Sequence, residues 1–280
     1  MHGPPRRQGR RGWSPTGLAL VASLALIASL TLGLGAGCAA VGDAAAGDAA
    51  LTVFAAASLR DLLAVLEPRW EAAHPRAGLT IAYDGSNILA AQIREGAPAD
   101  VFVSADTERP ATLAEAGFTA AQPVPFARNS ISLVVPMEGS RLTSAADLAE
   151  PGIRVVAAAP DVPVSAYAEL ALAQLAAQTP DPEGFLAGVA ANVVSREDNV
   201  RAALAKVELG EADAAFVYTT DARSSGLVRE IRLPQGVAVT AEYAAVQVTD
   251  RPVAAEFVEW LRGAEVARAL ADAGFEPAVR

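Results

Sequence analysis

The chain has 280 residues, 52% of them hydrophobic, and sets 22 basic against 32 acidic side chains for a net charge of −10. That balance disfavours nucleic acid and anionic membrane surfaces as partners, because both are recognised through basic patches. One cysteine, Cys38, excludes an internal disulfide framework and a CxxC site, and two histidines, His2 and His74, spell no HExxH metal motif.

Residues 1–37 read as an export signal. Arg6, Arg7, Arg10 and Arg11 precede an uncharged, Leu- and Ala-rich run over 17–37 that ends in GLGAGC at Cys38. A basic start, an apolar middle and small residues before a cut site are the marks of a cleaved leader. The run is also about long enough to span a bilayer, but the lone cysteine directly after Gly35-Ala36-Gly37 favours cleavage. That placement resembles the lipobox of bacterial lipoproteins, which implies that Cys38 is lipidated and becomes the first mature residue. The glycines here follow no strand and open no helix, so they are no dinucleotide fingerprint. Removing residues 1–37 takes away four arginines and no acid, which moves the net charge from −10 to −14. Residues 38–50 are small, flexible and acidic, a tether. The roughly 240 residues that remain are enough for one or two domains.

The first fold element begins at Leu51. Leu51 to Phe54 is apolar and β-branched, three alanines follow, and Ser58 stands where the period changes. Leu59, Leu62, Leu63, Leu66 and Trp70 then form the stripe of an amphipathic helix. Ser58 is thus expected to start a helix, with Asp61 three residues on as a weak capping box. A helix start carries unpartnered amides and positive potential, a prepared anion site. By itself such a serine is more often only a cap.

The junction recurs. Leu79 to Tyr83 reads as a strand, Asp84 to Asn87 as a turn containing Ser86, and Ile88 to Glu95 as a helix. Ala99 to Ser104 is a third strand, and Asp106 to Gly117 a helix closed by glycine. Asn129 to Pro136 and Ile153 to Ala158 are strands. A loop with Pro160 and Pro163 leads through Val164-Ser165 into a helix to about Gln178, which Pro180-Asp181-Pro182 breaks. Asn192 to Ser195 is a short strand, and Asn199 leads into a helix with Val200, Leu204 and Val207 on one face. Ala214 to Tyr218, Val237 to Thr240 and Ala244 to Val248 read as strands. Arg251-Pro252 opens a helix with Val253, Phe257, Trp260 and Leu261 inward, and a shorter helix runs to Gly274. Alternating strands and helices predict α/β layers on a largely parallel sheet. In such sheets ligands sit beyond the carboxyl ends of the strands, where Ser58, Ser86, Val164, Val200 and Tyr218 fall.

A serine hydrolase acting through Ser58 needs a base beside it. The one histidine past the leader, His74 in AAHPRAG, is expected in a solvated loop, and neither Ser58 nor Ser86 sits in a GxSxG elbow. No Walker lysine motif exists, and Asp84 reads as a turn residue. Binding accounts for the same residues more simply. Helix starts and hydroxyls around one cleft offer donors and no cation, which suits a proton-free oxyanion. A protonated anion would bring a donor with no acceptor, and a stranded buried polar group costs ~1–3 kcal/mol.

FAAASL (54–59), YDGSNILAAQIREGAPADVFVSAD (83–106), VPVSAY (162–167), EDNVRAAL (197–204) and VYTTDA (217–222) together resemble the periplasmic molybdate-binding proteins of bacterial ABC transporters, in order over about 51–275. The resemblance implies a two-lobed α/β fold of the type II periplasmic-binding-protein kind, each lobe a mostly parallel sheet flanked by helices. Lobe I would take 51–127 plus 246–280 and lobe II 128–245, with crossings near Phe126–Asn129 and Tyr243–Val246. It implies oxyanion ligands at Ser58 and Ser86 through hydroxyl and amide, at the amides of Val164 (or Ser165) and Val200 (or Asn199), and at the Tyr218 hydroxyl. Molybdenum would be held as molybdate, through its oxygens, with tungstate as a second cargo. No cofactor and no catalysis are implied. The partners would be the oxyanion and a transporter permease, and the protein would be an exported, lipid-anchored monomer. Another oxyanion such as sulfate is the alternative cargo.

Overall fold

The computed structural model describes residues 50–278; the leader at 1–37, Cys38 and the tether up to residue 49 lie outside the described residues. β1 (Leu51–Ala56) sends alternate side chains to two layers, as the period of a strand requires: Leu51, Val53 and Ala55 join one hydrophobic cluster and Phe54 another. A 3-10 turn at Ala57–Leu59 leads into α1 (Arg60–Ala73), which buries Leu62, Leu63, Leu66 and Trp70. Next come β2 (Leu79–Asp84), α2 (Ser86–Arg94), β3 (Val101–Ser104) and α3 (Glu108–Glu115). β1 pairs in parallel with both β2 and β3. Leu89 and Ile93 of α2 and Leu113 of α3 cluster with Phe54 and Phe102 on the face away from α1. Each fully buried side chain of this kind contributes ~1.5–3 kcal/mol, so the first sheet is held from both sides.

The chain then crosses. β4 (Val124–Pro136) is followed by β5 (Val155–Ala158), α4 (Pro163–Ala176), α5 (Pro182–Ala191), β6 (Val193–Glu197), α6 (Val200–Glu208), β7 (Ala214–Tyr218), α7 (Thr219–Ser224) and β8 (Val228–Ile231). β9 (Thr240–Gln247), α8 (Pro252–Leu261), α9 (Ala264–Asp272) and β10 (Glu276–Pro277) complete it. The first part of β4 pairs with β9 and the rest with β7 and β8, all antiparallel. β5 pairs in parallel with β6 and β7. The strand order is β2-β1-β3-β9-β4-β7-β5-β6, with β8 and β10 also alongside β4. The outer parts are therefore parallel and helix-flanked, and the centre, built on the two crossing strands, is antiparallel.

Several elements differ from expectation. β4 starts before Pro125 because the register shifts between Pro125 and Ala127, and such an irregularity is where a strand accommodates the missing proline N–H. Pro180-Asp181-Pro182 ends one helix but also starts α5: Asp181 accepts from the Gly184 amide at 3.0 Å and Pro182 stands at the first helical position. Of the two strands expected at 237–240 and 244–248, the first is absent except for Thr240, which begins β9, and β9 takes in the second up to Gln247; the short β8 was not anticipated. Val253 and Trp260 only lean on the core, while Ala254, Phe257 and Leu261 are buried. Among the described residues no helix is long and apolar enough to cross a membrane.

Candidate functional site

Five strands end at one place. Ser58 lies in the turn after β1, Ser86 opens α2 after β2, and Val164 lies in the first turn of α4 after β5. Val200 opens α6 after β6, and Tyr218 ends β7. All five are at most 4% exposed, and all line one cavity whose empty space is about 210 Å³, part of it open to solvent. Only about 10 Å³ of it can be reached by the centre of a water-sized sphere, about what a single water needs, so the cavity is tight and suits only a ligand of few atoms. No lysine or arginine lines it.

One carboxylate lines this cavity, that of Asp84, and its Oδ1 is already taken by the Gly85 amide at 2.8 Å and by Asn199 Nδ2 at 3.2 Å; the polar groups that the five residues offer are donors. The amides of Ser86, Val164 and Val200 belong to first helical turns, where no intrahelical acceptor exists, and none has a backbone acceptor elsewhere among the described residues. Ser86 Oγ accepts from the Ala105 amide at 3.1 Å, which leaves its own proton free. The Tyr218 hydroxyl is buried with no hydrogen-bond partner among the described residues. Burial, reinforced by Tyr243 and Tyr167, pushes its pKa well above the ordinary phenol value, so it keeps its proton. A buried orphan donor is costly and its natural remedy is an acceptor in the cavity. Of the alternatives at α4 and α6, the Ser165 amide donates to Val162 O at 2.9 Å and its hydroxyl to Ala158 O and Ala159 O, so Val164 is the freer of the two. Asn199 contributes its side chain: Oδ1 accepts from the Ala202 amide at 3.0 Å, capping α6, and Nδ2 donates to Asp84 Oδ1 at 3.2 Å.

The capping alternative for Ser58 is not made: no side-chain cap bond is present at α1. Ser58 Oγ lies 3.0 Å from the Tyr243 hydroxyl. Asp61, expected to complete a capping box, reaches Arg201 Nη2 at 2.6 Å, and Arg201 Nε lies 2.7 Å from Asp221 Oδ1. Burial raises Asp61, but Arg201 outweighs it and leaves that carboxyl below its usual value. Asp221 is wholly buried, and burial, only partly offset by Arg201, pushes it up to about 7. Two contacts tie α2 and α3 to the loop between β5 and α4: Asn87 Nδ2 donates to Asp161 Oδ2 at 2.7 Å, and Arg109 to the Asp161 carbonyl. A larger hollow of about 1050 Å³ opens behind Ser58, beside Asp61 and Arg201, but Ser86, Val164, Val200 and Tyr218 do not line it. The sequence residues converge in the smaller cavity.

A model of the bacterial extracellular solute-binding protein family matches residues 51–276, nearly the whole described chain. The chain belongs to this family. Among characterised relatives of this solute-binding protein is the molybdate-binding protein ModA of Mycobacterium tuberculosis, 35% identical over 234 residues, 82% of this chain and 85% of the relative. Solved structures with the same fold include the periplasmic molybdate-binding protein of Azotobacter vinelandii, with TM-score 0.67 and 23% identity over 82% of this chain and 99% of that one. The sulfate-binding protein SubI from Mycobacterium tuberculosis superposes with TM-score 0.68 at 21% identity, over 82% of this chain and 87% of that one. The fold is thus that of the periplasmic binding proteins.

His74, the one histidine among the described residues, has a structural place in this solute-binding protein. Its ring stacks on Trp70 at 3.6 Å, Nδ1 lies 3.0 Å from Trp70 O and Nε2 3.1 Å from Glu256. It is partly buried, at 20% side-chain exposure, rather than solvated, because Trp70 offers it a flat apolar surface. Neither ring nitrogen has Ser58 as a partner. The Asn199 bridge and the Arg201 cluster were not anticipated. An Asn before an apolar helical face is a readable cap signal, whereas the reach of its amide to Asp84 has no signature in sequence.

Proposed function

We propose that this protein captures molybdate outside the cytoplasm and delivers it to the permease of an ABC importer, with tungstate as a second cargo, and that it binds without turnover. Ser58 and Ser86 would each donate hydroxyl and amide, Val164 and Val200 their amides, and Tyr218 its hydroxyl. The observation that carries this reading is the convergence of these groups, including an orphaned buried hydroxyl, on a small cavity lined by no cation. A ligand that accepts at every oxygen and donates nothing meets such a site without leaving a polar group stranded. Two of the three proteins named above, ModA and the Azotobacter vinelandii protein, are molybdate-binding proteins by name, which supports the choice of anion, and the sulfate-binding SubI marks sulfate as the competing cargo.

In the same reading the lobes are 51–127 plus 246–280 and 128–245. Ser58 and Ser86 belong to the first, Val164, Val200 and Tyr218 to the second, so occupancy favours closure, a change that a permease can sense. Anchoring through lipidated Cys38 would hold a monomer at the outer face of the membrane. Isothermal titration calorimetry with molybdate, sulfate and phosphate tests the cargo. Strong heat with molybdate is expected; heat with sulfate or phosphate and none with molybdate overturns it. Metabolic labelling with a fatty-acid probe in the intact chain and in Cys38→Ala tests the anchor.

A further inference from the structure

Behind Ser58 lies a short chain of hydrogen bonds whose direction can be worked out. Asn129 Oδ1 accepts from the Ser130 amide at 2.9 Å, which fixes which end of its side-chain amide is which. Its NH2 group therefore faces Thr220 Oγ1 at 2.8 Å and, at the long distance of 3.5 Å, the Tyr243 oxygen. Tyr243 is fully buried and keeps its phenol proton, since burial holds its pKa well above the ordinary value. With a donor on one side, its single proton has one acceptor left, Ser58 Oγ at 3.0 Å. Ser58 then has its own proton free, and the cavity is where it can go.

We propose that Tyr243, oriented by Asn129, is a positioning and specificity-determining residue that fills one of the two lone pairs of Ser58 Oγ and turns the serine's own proton toward the cavity, so that the cavity disfavours anions that carry a proton. This rests on the oxyanion reading above and adds a residue to it. Ser86 reaches the same state by another route, through the Ala105 amide. Asn129 sits on β4 and Tyr243 on β9. The polarity of the first ligand serine is thus set by the two strands that cross the centre of the sheet, not by the turn that carries it.

Calorimetry and competition binding on the full chain test this. Tyr243→Phe frees a lone pair on Ser58 but leaves its proton; molybdate affinity should change by less than about threefold. The preference for molybdate over phosphate, measured by competition at pH 6 where phosphate is protonated, should narrow about tenfold. Asn129→Asp keeps an acceptor for the Ser130 amide but offers Tyr243 an acceptor. The phenol proton then turns away, Ser58 must donate to Tyr243, and molybdate affinity should fall tenfold or more, as expected for one hydrogen bond to a charged group. Adding Tyr243→Phe to Asn129→Asp should restore much of that loss, which a purely electrostatic effect of the new carboxylate would not allow. An unchanged preference in Tyr243→Phe, or no restoration in the double variant, overturns the proposal. Thermal unfolding checks each variant; should Asn129→Asp not fold, the preference of Tyr243→Phe decides alone. A parent that takes sulfate and not molybdate overturns the functional reading only, and the same variants are then read with sulfate. A parent that takes neither overturns both.

Discussion

A Cβ added to Gly85 would stand 2.4 Å from the carbonyl oxygen of Asp198. The two residues come from different sides of the cavity, one between β2 and α2, the other just before α6. Gly85 has φ −59 and ψ 137, which any residue can adopt, so it is the approach and not the backbone conformation that requires glycine. Gly85→Ala should therefore fold normally, with unfolding free energy within about 1 kcal/mol of the parent. It should bind molybdate at least tenfold more weakly, because that side chain keeps the two sides apart. Calorimetry paired with chemical denaturation checks both halves of the expectation.

Tyr218→Phe separates stability from binding in the opposite sense. The hydroxyl is buried and unpartnered, so its removal should leave the ligand-free protein unchanged or stabilise it by up to about 1 kcal/mol. Affinity for molybdate should drop about tenfold. A urea melt without ligand and a titration with it would read the two effects; a destabilised ligand-free variant would mean that the hydroxyl has a partner in solution.

Asp221 gives stability a readable pH dependence. Burial raises its carboxyl from the usual 3.8 to about 7. The folded state therefore holds a proton that the unfolded chain releases, and between about pH 4 and pH 7 this residue makes the fold less stable as pH rises. Asp147, Asp213 and Asp61 are lowered instead, so their contributions are present above about pH 4 and lost below it. The difference in melting temperature between the parent and Asp221→Asn should thus move in the parent's favour as pH falls from 7 to 4. A difference that stays flat across that window would contradict the assignment.

His74→Ala should cost about 1 kcal/mol, through the lost stacking on Trp70, and leave oxyanion binding unaltered. Differential scanning calorimetry and a molybdate titration suffice. A variant that loses an ester-hydrolysing activity present in the parent would instead revive the hydrolase alternative.

The strand–serine–helix junctions at Ser58 and Ser86 were legible because the hydrophobic period changes within a residue or two of each serine. The helix starts at Val164 and Val200 were legible through the proline and asparagine that precede them. What those residues touch was not. Ser58 and Tyr243 are 185 positions apart, Asp61 and Arg201 140; local pattern carries no information about such pairs. A cap on its own helix is the alternative that local pattern offers for Ser58, and tertiary contact takes its hydroxyl to β9 instead. The helix α5 was hidden for a different reason: Pro180-Asp181-Pro182 is read most simply as a stop, although the same residues supply a cap and a first-turn proline.

The place of β9 in the strand order has a consequence for how the chain comes to be made. The sheet begun by β1, β2 and β3 lacks its inner neighbour until Thr240–Gln247 arrives. The first sheet to leave the ribosome is therefore among the last to be finished, and its buried Val101, Phe102 and Val103 stay on an open edge until nearly the whole polypeptide has been synthesised. A nascent protein built this way cannot lock early: its first sheet closes only when the last strands of the chain are in hand.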